Sequence, residues 1–259
     1  GGYQEGMEPG VLVGYVAEGI FQNDAEINAA YSQGKVTSGN IQGKTQYTPA
    51  KWATLTDAER KNGILLTPGD VKWKDINGDG MIDSFDQKVL GNTTPHWTGG
   101  FTTTFKWKGF TLYGAFDFAL GFWNYDPTTP WYLGCMQGTY NTSTEVFDTW
   151  TESNPGAKYP KYVYADQLGA ANYNRASTLF AYRGDYLAIR ELSLSYSLPK
   201  ALASKLYCQK LDLSVTGQNL GYLTAAPVAS PEVSRGGGVA SGTGYPLPRT
   251  LLFGINVTF

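Results

Sequence analysis

Residues 97–107, WTGGFTTTFKW, set Trp97, Phe101, Phe105 and Trp107 on one side of an extended chain and Thr98, Thr102, Thr104 and Lys106 on the other, because successive strand side chains point to opposite faces. The dipeptide Lys108-Gly109 follows. FTLYGAFDFAL then repeats the pattern, with Phe110, Leu112, Phe116, Phe118 and Leu120 against Thr111, Tyr113, Ala115, Asp117 and Ala119. A two-residue linker ending in Gly suits a hairpin turn, so the pair predicts a hairpin with one apolar and one polar face. The same alternation returns in ELSLSYSL (191–198), KLDLSVTGQNL (210–220) and RTLLFGINVTF (249–259). Each run is close to the ~9–11 residues that a tilted strand needs to cross a bilayer.

The connections between these runs are lopsided. Lys108-Gly109 and residues 199–209, where Pro199 can open one helical turn, are short. The segments leading to Tyr182 and to Arg249 are long, and long unstructured loops are uncommon inside compact soluble domains. Short turns at one end and long loops at the other are the habit of outer-membrane barrels. A soluble sandwich also alternates apolar and polar residues, so it stays open as the alternative. Three features favour lipid as the cover: the apolar sets are rich in aromatics, the polar sets are small and neutral (Thr, Ser, Gly, Asn) and the loops are unequal. The expected fold is therefore all-β, strands of a large antiparallel transmembrane β-barrel with long extracellular loops.

The totals agree with a β protein. The chain has 259 residues, 14% aromatic, with 32 glycines. Its net charge of -2 comes from 20 basic and 22 acidic residues with no basic run, which argues against a nucleic-acid partner. No apolar stretch reaches the roughly 18 residues of a membrane helix, a criterion that does not bear on barrels. The start, GGYQEGMEPG, is neither an initiator Met nor an export signal, and the expectation is a piece of a longer protein. Cys135 and Cys208 lack metal-type spacing, and the strand order implied by the turns puts them at opposite ends of the barrel, too far apart for a disulfide.

Residues 1–96 have another texture and are expected to form an extracellular loop and hinge region, with residues 97–259 supplying barrel strands and extracellular loops. Helices are predicted after Asn23 and after Thr56, where Thr56 and Glu59 make a capping box and Gly63 stops the helix. At most one short strand is expected, at VLVGYVAEG. DINGDGMID (75–83) carries oxygen donors at alternate positions around a Gly80 turn. Read as a calcium loop spanning 75–86, it offers Asp75, Asn77, Asp79, the Met81 carbonyl, Asp83 and Asp86, with Ile82 packed inward; calcium favours six to eight hard oxygens. The role expected for the ion is structural, since a loop outside a barrel has no core to hold its shape. An Asx-rich turn that binds nothing is the competing reading.

Other motifs carry less. GNIQGKT (39–45) has three residues between its glycines where a phosphate loop needs four. His96 is the sole histidine, no GxSxG elbow accompanies it, and it reads as a rim residue beside Trp97. Glu145 and Asp148 read as solvated acids rather than a glycosidase pair. Trp123, Tyr125, Trp131 and Tyr132 could stack on sugar rings or peptide side chains, or belong to an aromatic belt; the belt suits Trp123, and both readings stay open for Trp131 and Tyr132, the candidate substrate-binding residues. No catalytic residue is assigned, and the chain is expected not to be an enzyme.

Four blocks in order, PGDVKWKDINGDGMIDSFDQKVLGNTTPHWTGGF (68–101), DTWTESNPGAKYPKY (148–162), GDYLAIRELSLSYSLP (184–199) and GQNLGYLT followed by YPLPRTLLFGINVTF, resemble the C-terminal part of SusC/RagA-type TonB-dependent transporters, outer-membrane proteins of Bacteroidetes. GYVAEGIFQNDAEI (14–27) fits the same pattern. The resemblance implies a barrel of roughly 22 strands closed around a plug, of which about five strands are present here. It further implies import of an oligosaccharide or oligopeptide, a SusD-like surface lipoprotein as lid, TonB engaged through an N-terminal part not in this chain, and the rest of the same barrel as neighbour. One departure stands out: Ala188 occupies the position where the family usually has a basic residue after Tyr-Leu, with Arg190 two residues on.

Overall fold

The computed structural model describes residues 6–37, 44–134, 141–163, 171–228, 230–232 and 247–259. Contacts divide them into two units. The first joins the described residues up to Asn92 with those of Tyr125–Tyr182; the second joins Thr93–Asn124 with the described residues from Arg183 onward.

The first unit is built from short pieces in chain order: β1 (Val11–Tyr15), β2 (Ala17–Ile20), α1 (Asp24–Ala30), β3 (Lys35–Val36), β4 (Thr45–Tyr47), α2 (Pro49–Ala53), α3 (Asp57–Lys61), β5 (Gly63–Leu65), β6 (Val71–Trp73), β7 (Met81–Ile82) and β8 (Gln87–Asn92). β1 pairs with β8, β2 with β6, and β5-β4-β3-β7 form a four-stranded sheet in which β3–β7 and β4–β5 run parallel. This corrects the expectation of at most one strand. VLVGYVAEGI is itself two strands, broken at Val16. Pieces this short do not complete an alternation pattern, and their partners lie far along the chain.

The helices follow their caps. Asn23 accepts a hydrogen bond from the Glu26 amide at the start of α1, and the Thr56–Glu59 capping box opens α3 as predicted. α3 ends at Lys61 with Asn62 as its cap, and Gly63 instead begins β5. α2 was not foreseen, although Thr48 caps it and Pro49 occupies its first turn, where a missing N–H costs nothing.

A closed core holds these pieces together: Phe21, Ile27, Val36, Trp73 and Ile82 are fully or almost fully buried. Residues from the Tyr125–Tyr182 stretch complete it. The Arg175 guanidinium lies over the Trp73 ring at 5.2 Å and donates to Gln46 Oε1 at 2.7 Å. Asp70, fully buried, receives Lys161 Nζ at 2.8 Å, Asn172 Nδ2 at 2.9 Å and the Thr67 amide at 2.8 Å. Asn172 Oδ1 in turn accepts from the Val71 amide.

The second unit contains β9 (Trp97–Trp107) and β10 (Phe110–Leu120). After β11 (Trp123–Tyr125), α4 (Thr128–Gly134) and β12 (Ala181–Arg183), it continues with β13 (Tyr186–Ser197), α5 (Lys200–Lys205), β14 (Lys210–Thr224) and β15 (Thr250–Thr258). Its five long strands form one antiparallel sheet in the order β15-β14-β13-β10-β9. Lys108 and Gly109 both have positive φ, as the favoured hairpin turn requires. Register carries residues of one kind straight across: Phe105, Leu112, Leu194, Val215 and Phe253 form one row, and Lys106, Thr111, Ser195, Ser214 and Gly254 the next.

Two strands run longer than the pattern predicts. β13 starts at Tyr186, and β14 continues to Thr224. The reason is a bulge: register shifts between Ile189 and Glu191, so the phase of the alternation slips at Arg190. Leu252 falls opposite Thr216 on the polar side. Cys208 is buried and free beside α5, while Cys135 lies outside the described residues.

Replacing Lys161 with Met leaves the Asp70 carboxylate buried without its cation, a change of the kind that costs about 3–5 kcal/mol. Hydrogen exchange at the Thr67 and Val71 amides should rise strongly in Lys161→Met and be largely restored in the double variant with Asp70→Asn; equal exchange in the two variants would remove the pair from this role.

Candidate functional site

Everything chemical about the sheet follows from its two faces. On the apolar face the side chains stand in the open: Phe105 is 64% exposed, Phe253 80% and Ile255 73%. A soluble sandwich would bury these residues against a second sheet, and among the described residues no second sheet covers them. Contiguous apolar surface on this scale needs a cover outside the chain. Among the described residues no helix is long and apolar enough to cross a membrane.

The polar face is knitted by small groups. Ser193 Oγ and Thr216 Oγ1 are 2.7 Å apart, Ser197 Oγ donates to Asp212 at 2.7 Å, and Lys210 Nζ meets the same carboxylate at 2.7 Å. Arg190, freed by the bulge, crosses to Asp117 on β10 with both carboxylate oxygens engaged and also pairs with Glu232. Where β13 begins, Asp185 makes a corner: its Oδ1 accepts the Gly121 amide at 2.6 Å and the Phe122 amide at 3.3 Å, and Arg183 Nη2 donates to Oδ2 at 2.8 Å. Burial raises the pKa of this carboxyl, yet the Arg183 hydrogen bond and the two amides outweigh burial and hold it below its ordinary value.

In the first unit the 75–86 loop turns through Gly78 and Gly80, both with positive φ. Asp75 accepts the Gly78 and Gly80 amides at 2.6 and 2.7 Å; Asp79 Oδ1 accepts the Met81 amide at 2.9 Å. Asn77 Oδ1 accepts the Asp79 amide at 2.9 Å. Asp83 caps the 3-10 turn Ser84–Asp86, and the fully buried Asp86 accepts the Ile76 amide at 2.8 Å and the Asp83 amide at 2.8 Å. Ile82 is fully buried, as expected. Among the described residues no three acidic, His or Cys side chains converge as a metal-holding group. Backbone amides thus hold the loop in shape here. Each accepting carboxylate oxygen keeps a second lone pair, which leaves the calcium register of Asp75, Asn77, Asp79, Met81, Asp83 and Asp86 chemically possible.

No family model matches the chain. It is similar to TonB-dependent receptor P3 of Formosa agariphila, 30% identical over 204 residues, which is 74% of this chain and 19% of that receptor. TonB-dependent receptor P39 of the same organism is 28% identical over 276 residues, 100% of this chain and 26% of that receptor. The solved RagAB peptide transporter superposes with a TM-score of 0.59 at 23% identity, over 74% of this chain and 21% of that one. A RagAB peptide importer in its open-open state gives a TM-score of 0.56. The chain is thus similar in sequence to TonB-dependent receptors and shares a fold with the RagAB chains, consistent with a fragment of a SusC/RagA-type receptor. It spans about a fifth to a quarter of the length of those curated relatives.

The blocks that carry the SusC/RagA-type resemblance have visible structural work. GDYL contains the Asp185 corner, and Ala188, the departure from the family pattern, sits buried opposite Asp117. Trp131 and Tyr132 lie together on α4, half-exposed and edge-to-face with centroids 5.5 Å apart, while Leu133 between their neighbours is fully buried. Trp123 carries the Arg183 guanidinium 5.8 Å over its ring. Tyr125 donates to the Arg175 carbonyl at 3.4 Å, and burial pushes its pKa up to about 12. His96 is exposed, and its amide donates to the Leu120 carbonyl at the end of β10, consistent with a rim position. The rejected GNIQGKT motif falls mostly outside the described residues.

Two outcomes follow. A carboxyl whose folded pKa is depressed stabilises above its unfolded pKa of ~3.9 and loses that contribution as pH falls through the folded value. Protection of the Gly121 and Phe122 amides should therefore be steady near neutrality and fall only in acid, whereas Asp185→Asn should be less protected at neutral pH and lack the acid step. For the loop, replacing Asp75 and Asp79 with Ala removes acceptors for three amides, and charge-assisted hydrogen bonds of this kind contribute about 1.5–3 kcal/mol each before overlap. Hydrogen exchange over residues 68–90 should accelerate at least tenfold; unchanged protection would show that the loop's shape lies elsewhere.

Proposed function

We propose that this chain is wall and extracellular loop of an outer-membrane β-barrel transporter that imports an oligosaccharide or oligopeptide with a SusD-like surface lipoprotein, energised by TonB. The observation that carries the reading is the uncovered apolar face of five long, in-register strands. Lipid is the one abundant partner that covers such a face without hydrogen bonding to it. β9 and β15, the two edges of the sheet, need further strands of the same barrel, because an open edge is not tolerated in hydrocarbon. TonB engagement belongs to residues beyond this chain. The matched relatives are receptors and an importer, and the site chemistry asks for no bond to be broken.

In this reading the first unit is the extracellular hinge region beside the pore mouth, and the 75–86 loop is its stiff element. Calcium is the ion its oxygen spacing suits, in a structural role. Trp131 and Tyr132 offer exposed rings for stacking on sugar or peptide side chains. The compact, closed core of the first unit supports a place in water, where the second unit's apolar face could not stand.

The test is a spin-label scan in the intact receptor reconstituted in lipid. Labels at 105, 194, 215 and 253 should be quenched by oxygen dissolved in the bilayer, and labels at 104, 195, 214 and 254 by a water-soluble nickel chelate. If all eight positions respond alike to the aqueous quencher, the barrel reading is lost. A calcium arm accompanies it: chelation should raise exchange over 75–86 if the ion binds, and leave it unchanged if hydrogen bonds alone hold the loop.

A further inference from the structure

Where β13 and β14 diverge at the bulge, the polar face opens into a cavity of about 400 Å³ lying wholly within the second unit. Its polar lining comprises Arg190, Arg249, Tyr222, Thr224, Ser230 and Asn219, with apolar side chains at Ile189, Val228 and Leu247 and no carboxylate among the described residues. The two arginines are in different states. Arg190 is fixed by Asp117 and Glu232 and lies 5.9 Å from the Tyr222 ring. Arg249 has no acidic partner among the described residues. Its Nη2 lies over Gly221, 3.8 Å from where a side chain would begin, so the backbone beneath it stays bare.

We infer that this cavity is a subsite for a carboxylate group of the imported molecule, with Arg249 as its anchor. The inference rests on the import reading above and adds a ligand chemistry to it. A guanidinium presents paired N–H donors that match a carboxylate in one plane. Hydroxyls beside it, at Tyr222 and Ser230, 3.3 Å apart, can complete the contact to a monoanion. The local charges of Arg190, Arg249, Asp117 and Glu232 cancel, which suits one added negative charge better than the two of a phosphate monoester. Arg190 is a positioning residue in this arrangement: locked to β10 and the loop after β14, it holds the Tyr222 ring. Val228 and Leu247 offer the apolar flank that an aliphatic side chain or a sugar ring would meet. The shared chemistry is the carboxylate; it could belong to a peptide C-terminus or to a uronic acid.

The test uses the intact receptor in detergent with paired probes: short peptides with free or amidated C-termini, and oligogalacturonides alongside neutral galacto-oligosaccharides. Within the pair that binds, the charged member should bind at least about tenfold tighter, the scale of one charge-assisted contact. The pair that shows the preference identifies the source. Arg249→Gln should abolish the preference in a receptor that keeps the unsubstituted spin-label pattern, and Arg249→Lys should retain part of it, which separates lost charge from lost folding. Equal binding of charged and neutral members, or a preference that survives Arg249→Gln, overturns the subsite and leaves the import reading standing. Absence of binding by every probe, together with failure of the spin-label pattern, overturns both.

Discussion

The second unit depends on one thing, a lateral ladder of backbone hydrogen bonds that satisfies five long strands sideways while no other described residues cover their apolar side. In water that arrangement has no reason to persist, because the Phe, Leu and Ile rows would seek one another and collapse the sheet. In hydrocarbon the balance inverts. Unsatisfied backbone groups become the costly element, and apolar side chains cost nothing to expose. The cross-strand register in which Phe105, Leu112, Leu194, Val215 and Phe253 share one row is what keeps the two faces chemically distinct, since a slip by one residue would exchange them.

The first unit solves the opposite problem. Its strands are too short to be stable as ladders, and its helices run five to seven residues. Burial does the holding, through Trp73, Phe21 and Ile82, with Arg175 and the Asp70–Lys161–Asn172 group as polar ties inside the core. The 75–86 loop belongs with it: carboxylates there serve backbone amides that a turn leaves without partners.

Legibility in the sequence tracked the range of the interactions. The five long strands could be read because each contains several periods of alternation, and the capped helices because Asn23 and Thr56 act within three residues. The bulge at Arg190 hid the residues of β13 before Glu191, since alternation loses phase where one residue is added. The short ladders of the first unit were invisible for a different reason. Lys35 and Val36 become a strand by lying between Gln46-Tyr47 on one side and Met81-Ile82 on the other, and two residues carry no alternation to announce that. Of the candidate site residues, the acidic loop was legible by spacing alone. Arg249 was not, because it faces a cavity assembled from β13, β14 and the loop between β14 and β15.

The first unit is interrupted: its core needs residues on both sides of β9 and β10. The Ala17 amide bonds to Thr178 Oγ1, a partner 161 residues later, and Tyr15 exchanges backbone hydrogen bonds with Ala176 and Thr178. Contacts of such sequence separation are slow to form. The part of this core that residues 125–182 supply can therefore close only after β9 and β10 have been made and the chain has passed Tyr182. Completion of this core is thereby a late step, and its order is imposed by the fold itself.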